Sequence, residues 1–356
     1  MEHRVISVHL RESYNVLIGG GLLAKSGSLI RVALGDCRLA VVTDCNVAGL
    51  YLDGVLTSLR EAGYDTCSFV FPAGEQSKRM DTLSNLLEFF AEERLTRTDC
   101  VLALGGGVTG DLAGFAAGCY LRGIRYVQLP TTLLAAVDSS IGGKTAIDLP
   151  QGKNLAGLFH QPSLVLCDID CFHTLPAEEL SNGAAEAIKT GILEGEPLFS
   201  LLETGNVREH IEPIVTQCVR YKANIVGQDE TETGPRKLLN LGHTVGHAIE
   251  KCSGFSIPHG YAVAIGLAII ARAAESLGAV DEPIAARIES ALVRNGLPIT
   301  TKFSPEALAN AALSDKKRTG GQITLVVPRA IGACYFLELP TAQLENFFRA
   351  GMEAGK

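Results

Sequence analysis

Leu102-Ala103-Leu104-Gly105-Gly106-Gly107-Val108-Thr109-Gly110-Asp111, followed by an Ala-rich segment, is the stretch on which the fold turns. An apolar run that breaks into glycines and resumes with helical spacing reads as strand, turn and helix. Gly105, Gly107 and Gly110 satisfy G-x-G-x-x-G at that junction, where bare backbone can approach a pyrophosphate at the positive end of a helix. The plain alternative is a tight turn with close helix packing. Outward from here, strands are expected at 38–43, 66–71, 100–104, 126–129 and 164–167, and helices at 49–62, 78–93 and 111–117. Such alternation is the pattern of a parallel sheet wrapped by helices.

Two details differ from the standard dinucleotide fold. The glycine turn follows the third expected strand rather than the first, and no acidic residue ends the next strand. Asp44, directly after the strand ending at Thr43, is the best ribose-binding carboxylate. Pro72, Ala73, Gly74, Glu75, Gln76, Ser77 and Lys78 also lie between a strand and a helix, so all three loops face one edge of the sheet. Past Leu175-Pro176 the strand-type runs almost vanish, and Ala, Leu, Ile and Glu with helical spacing continue to about Leu313. The shift predicts two domains, 1–176 α/β and 177–356 mostly helical, with a late strand or hairpin at 322–327.

Size and composition agree. A chain of 356 residues exceeds the usual single domain, and 38 glycines with no tryptophan favour tight turns over aromatic platforms. A net charge of -8 argues against a polynucleotide partner, which binds through surplus Lys and Arg. The ten cysteines are scattered without a C-x-x-C pair and read as reduced thiols of a cytoplasmic protein. Residues 1–20 lack the pattern of a signal peptide, and the longest apolar run, 261–271, is too short to span a bilayer, so no membrane role is expected.

Small residues followed by lysine, as in Asp138-Ser139-Ser140-Ile141-Gly142-Gly143-Lys144 and Gly152-Lys153-Asn154, suit loops that hold a phosphate or carboxylate. In the second half, Glu186 and Lys189 stand three apart on one expected helix, and His243 and His247 four apart on another. With His259 nearby, two imidazoles and a carboxylate make a zinc set that leaves a position open for water or substrate. Spacing alone leaves open which two of the three histidines bind. Thr244 after His243 removes the general base of an H-E-x-x-H protease.

The strings Gly105 to Asp111, Pro130 to Lys144, Gly152 to Asn154, Glu186 to Lys189 and Asn240 to His247 resemble the 3-dehydroquinate synthases in order and spacing from about residue 38 to 335. The resemblance implies a Rossmann-like NAD-binding domain, a helical metal-binding domain and an active site between them, in a cytoplasmic homodimer. It implies metal ligands Glu186, His243 and His259, holding zinc or alternatively cobalt, and releases His247 for proton transfer. NAD would meet Asp44, Gly74, Glu75, Gln76, Lys78, Gly106, Gly107, Val108, Thr109, Gly110, Asp111, Thr131, Thr132, Lys144, Lys153, Cys171, Phe172, His173 and Thr174. A small phosphorylated sugar acid would meet Arg122, Asp138, Lys144, Lys153, Asn154, Lys189, Lys222, Arg236, Asn240, His247 and one of Lys316 and Lys317. Catalysis would fall to Lys153, His247, Arg236, Asn240, Lys189, Asp138 and Lys144.

The implied reaction converts 3-deoxy-D-arabino-heptulosonate 7-phosphate to 3-dehydroquinate and phosphate in the shikimate pathway, by transient NAD oxidation, phosphate elimination, re-reduction and aldol closure. Asp148 and Cys171 depart from residues expected there. Another sugar-phosphate cyclase and a metal-dependent polyol dehydrogenase of the glycerol dehydrogenase type are the rival readings, and a non-enzymatic binding protein is the third class.

Overall fold

The computed structural model describes residues 3–314 and 321–355, which form two compact units. One comprises Met1–Leu175 with Lys222–Thr231; the other comprises Pro176–Tyr221 with Glu232–Lys356.

The first unit is built on a seven-stranded sheet. Its strands are β1 (Arg4–Val8), β2 (Tyr14–Gly19), β3 (Leu39–Asp44), β4 (Thr66–Phe71), β5 (Cys100–Gly105) and β6 (Arg125–Pro130). After a separate antiparallel hairpin of β7 (Lys144–Leu149) and β8 (Gly152–Phe159), β9 (Leu164–Asp168) completes it. The order is β1-β2-β9-β6-β5-β3-β4, parallel except between β1 and β2. Central strands must be covered on both faces, which explains why β3, β5 and β9 read as unbroken apolar runs; Val41, Val42, Val101, Leu102, Val165 and Leu166 are fully buried.

The chain passes from β3 out to β4 and then back across to β5. The strand order therefore reverses between β3 and β5, and in such sheets the crevice beyond the carboxyl ends at the reversal takes the ligand. Asp44 ends β3 and Gly105 ends β5, so both stand at that point.

All five expected strands are present, and the differences lie elsewhere. The first two strands, β1 at one edge and β2 beside it, had no apolar run long enough to mark them. The hairpin β7–β8 replaces two expected anion loops: Lys144 opens β7, and Lys153 and Asn154 lie in β8, none of whose residues is fully buried. The helix after the glycines starts at Gly107 rather than Asp111 and runs to Cys119, because its glycines are set by packing. A Cβ at Gly110 would stand 2.5 Å from Gln128, and one at Gly114 2.5 Å from Thr145. Contact with the sheet thus offsets the roughly 1 kcal/mol that each helical glycine costs.

The second unit is helical around His259–Ser276, which is buried on nearly every side. No helix among the described residues is long and apolar enough to cross a membrane. The expected late strand is a hairpin of β10 (Gln322–Ala330) and β11 (Ala333–Pro340).

Candidate active site

In the first unit, the glycine turn places a helix N-terminus at the carboxyl edge of the sheet. Gly106 caps the helix Gly107–Cys119 without a side-chain bond, and Gly110 N–H is the first to reach back, to Gly106 C=O at 3.0 Å. The amides of Gly107, Val108 and Thr109 therefore have no intrahelical acceptor, which suits a phosphate. Close approach is enforced on either side: a Cβ at Gly106 would stand 3.0 Å from Thr132, and one at Gly107 3.1 Å from Ser139. Thr131 is buried beside the turn, its N–H donating to Gly105 C=O at 3.0 Å. Asp44 spends Oδ1 on the amides of Asn46 and Val47, leaving Oδ2 facing Thr109 Oγ1 at 3.5 Å.

Lys78 is almost fully buried and joins three segments. Its Nζ donates to Asp111 Oδ2 at 2.6 Å and to Asn154 Oδ1 at 2.5 Å, with Glu75 Oε1 at 4.0 Å, the same oxygen that lies 3.7 Å from Lys153 Nζ. Burial opposes the charge on Lys78, but Asp111 and Glu75 hold its pKa above the ordinary value. An ammonium only donates, so Asn154 presents its oxygen to Lys78 and keeps both amide hydrogens for another partner. Asn154 has φ +57°, and Asp148 Oδ1 accepts its N–H at 2.8 Å. Gly74, at φ +110°, turns the 72–78 loop.

Lys222 Nζ donates to Asp138 at Oδ1 (2.7 Å) and at the backbone carbonyl (2.6 Å). Arg122, Lys144, His173 and Thr174 are exposed, whereas Cys171 and Phe172 are 2 % and 0 % exposed. The segment 171–174, which the resemblance assigns to the cofactor, thus presents two buried and two exposed side chains.

In the second unit, three helices bring Glu186, His243 and His259 together. Gly266 lets the helices His243–Cys252 and His259–Ser276 touch, since a Cβ there would stand 2.1 Å from Gly242 C=O. Gly242 itself needs its φ of +77° to start the first of them. Asn182, one turn before Glu186, accepts Gly260 N–H at 2.7 Å and so fixes the start of the second against the helix Ala177–Glu194. Both imidazoles then face one carboxylate oxygen: His243 Nε2 lies 3.5 Å and His259 Nε2 3.3 Å from Glu186 Oε1. Ligands about 2.1 Å from a tetrahedral ion stand about 3.4 Å apart, so this donor set fits a zinc-sized cation. Leu241 C=O lies 3.1 Å from His243 Nδ1, which leaves Nε2 to the site.

Charge follows geometry. Burial raises the Glu186 carboxyl, but Lys189, His243 and His259 together hold it well below the usual range. Burial and the Lys189 ammonium push His243 down to about 3. Burial opposes protonation of His259 as well, yet bonds to Glu186 and Glu250 push it up to about 10. The site thus favours positive charge between two buried carboxylates.

A cavity of about 720 Å³ opens beside these residues and is lined by His243, His247, Asn240, Glu232 and Lys237, with Gln322, Thr324, Phe336 and Glu338 from the hairpin. Asn240 Nδ2 donates to Glu232 Oε1 at 2.8 Å, while Arg236 and Lys189 are buried at 1 % exposure. Lys316 and Lys317 lie outside the described residues. Sequence reading missed Glu232, Lys237 and the hairpin residues. Only Glu250, two turns after His243 on one helix face, carried a spacing that would have marked it.

The family model described as 3-dehydroquinate synthase N-terminal matches residues 68–182, and that described as 3-dehydroquinate synthase C-terminal matches residues 183–318. The chain belongs to the 3-dehydroquinate synthase family. It is 46% identical over 349 residues to the 3-dehydroquinate synthase of Caulobacter vibrioides, covering 93% of this chain and 94% of that one. Among solved structures, 2-epi-5-epi-valiolone synthase from Streptomyces hygroscopicus, with NAD+ and Zn2+ bound, superposes with TM-score 0.87 at 28% identity, covering 98% of this chain and 99% of that one. A 2-deoxy-scyllo-inosose synthase complexed with carbaglucose-6-phosphate, NAD+ and Co2+ gives TM-score 0.87 at 24% identity, with the same coverage, and shows the fold alone. Both halves of the 3-dehydroquinate synthase pattern are therefore present in one chain and in the family's order.

Proposed function

We propose that the protein converts 3-deoxy-D-arabino-heptulosonate 7-phosphate to 3-dehydroquinate and phosphate, using bound NAD and a divalent metal, as a cytoplasmic homodimer. The observation that carries this reading is membership of the family through both halves of the chain. When bound, NAD takes up and returns a hydride, and the metal, zinc or cobalt, makes the hydroxyl it polarises more acidic.

In this reading the amides of Gly107, Val108 and Thr109 hold the NAD pyrophosphate, and the second oxygen of Asp44 takes a ribose hydroxyl. Glu186, His243 and His259 hold the metal. Lys153 and Arg236, with one of Lys316 and Lys317, hold the phosphate of the substrate while negative charge develops on it. Asn154 donates its two amide hydrogens to substrate oxygens. His247 is exposed on the cavity wall with its ring 5.4 Å from that of His243, and it moves a proton to or from the substrate. Asp138, Lys222, Lys144, Lys189 and Asn240 fix the sugar acid in one conformation, and that positioning supplies much of the advantage for ring closure.

Release of inorganic phosphate from the heptulosonate phosphate, measured with and without NAD, tests the proposal. Phosphate release that depends on NAD, without net NADH, is expected. Accumulating NADH would instead mark a polyol dehydrogenase. The resemblance to the valiolone synthase favours another sugar-phosphate cyclase as the second reading, and identifying the carbocycle formed separates the two.

A further inference from the structure

Glu250 lies on the helix His243–Cys252, two turns beyond His243, and is 3 % exposed. A carboxylate so placed needs a donor or a cation beside it. Its Oε2 stands 3.4 Å from His259 Nδ1, the ring nitrogen opposite the one that faces Glu186 at 3.3 Å. An imidazole with one nitrogen on a carboxylate and the other on a ligand site has its tautomer decided: Nδ1 carries the hydrogen, and the lone pair on Nε2 is left for a metal. The acceptor also sets the ring plane and makes Nε2 more basic. His243 is set the same way by the backbone carbonyl of Leu241, 3.1 Å from its Nδ1. The two histidines thus have different outer partners, one neutral and one anionic.

We propose that Glu250 is a positioning residue that fixes the tautomer and orientation of His259 and raises its affinity for the metal, a role resting on the metal reading of Glu186, His243 and His259. The rival is direct ligation. His247, Glu250 and His259 also place ligand atoms within 4.8 Å of one another, with His259 Nδ1 3.4 Å from Glu250 Oε2. The Nε2 site has the stronger claim, because Glu186 is buried at 1 % and holds both imidazoles, whereas His247 is exposed.

The full-length protein is stripped of metal, and zinc affinity is measured by chelator competition for the unaltered chain, Glu250→Gln, Glu250→Ala and Glu186→Gln. Glu250→Gln keeps an acceptor for Nδ1–H without the charge and is expected to bind zinc about tenfold more weakly; Glu250→Ala loses both and is expected to fall about 100-fold. Every variant should hold at most one equivalent, and the visible spectrum of the Co2+-loaded Glu250→Gln protein should keep the unaltered pattern. Unchanged affinity in both Glu250 variants, with Glu186→Gln impaired, overturns the positioning role while leaving the metal site intact. Unchanged affinity in Glu186→Gln overturns the metal reading itself. A changed cobalt spectrum in Glu250→Gln, or loss of one of two equivalents, makes Glu250 a ligand and also overturns the proposal. Unfolding of the metal-free variants, followed in parallel, separates weakened binding from misfolding.

Discussion

Glu186 accepts charge from three sides, and its neighbours answer in opposite directions: His243 is held neutral while His259 is held protonated. A raised folded pKa stabilises the metal-free protein fully below the unfolded value of 6.5, and that contribution is lost as pH rises toward about 10. The lowered pKa of His243 works the other way, costing stability as pH falls from 6.5 toward about 3. Zinc must displace the proton from His259. Its apparent affinity should therefore rise about tenfold per pH unit above neutrality, as expected for one proton released. Chelator competition at pH 7 and pH 8 checks this, and a flat profile would show that no proton is displaced. Lys78 is the corresponding residue of the first unit. Lys78→Met leaves Asp111 without its cation and should cost about 3 kcal/mol of stability in urea unfolding, together with weaker NAD binding.

Among the elements, the helix pair His243–Cys252 and His259–Ser276 depends on contacts that tolerate no side chain. A Cβ at Gly260 would stand 2.0 Å from the backbone oxygen of Asn182, so Gly260→Ala must push the start of its helix away from Glu186. About 2 kcal/mol of destabilisation is expected from such overpacking, with a loss of zinc affinity larger than that from an equally destabilising change elsewhere in the unit. Urea unfolding and chelator competition on the same samples give both numbers; normal zinc affinity would show that the helix start does not set the ligand spacing. The glycine turn is read differently by sequence and by structure. Its motif, Gly105, Gly107 and Gly110, pointed to a ligand, whereas the structure shows what packs against each glycine. Gly105 and Gly110 are accounted for by Thr109 and Gln128, which stand where their Cβ atoms would be. Periodicity placed the strands because burial writes itself into apolar runs, but it passed over β7–β8, whose second strand has no fully buried residue.

For the whole molecule, ligands that bind only the folded chain add to its stability by mass action. Zinc at 100 times its dissociation constant should add about 2.7 kcal/mol, and a chelator should remove it. Thermal unfolding with and without chelator checks this, and an unchanged midpoint would argue against a specific site. The sequence by itself determined the α/β and helical halves, the five parallel strands and the family, because each is a local pattern or a string in fixed order. Tertiary structure alone decided that Cys171 and Phe172 fill the core, that Lys78 ties Asp111 to Asn154, and that Glu250 stands behind His259. It also decided which nitrogens face Glu186. Positions 186, 243 and 259 lie on three separate helices, and where they meet is set by bare glycine contacts and the Asn182 bond to Gly260, which no spacing along one chain can express.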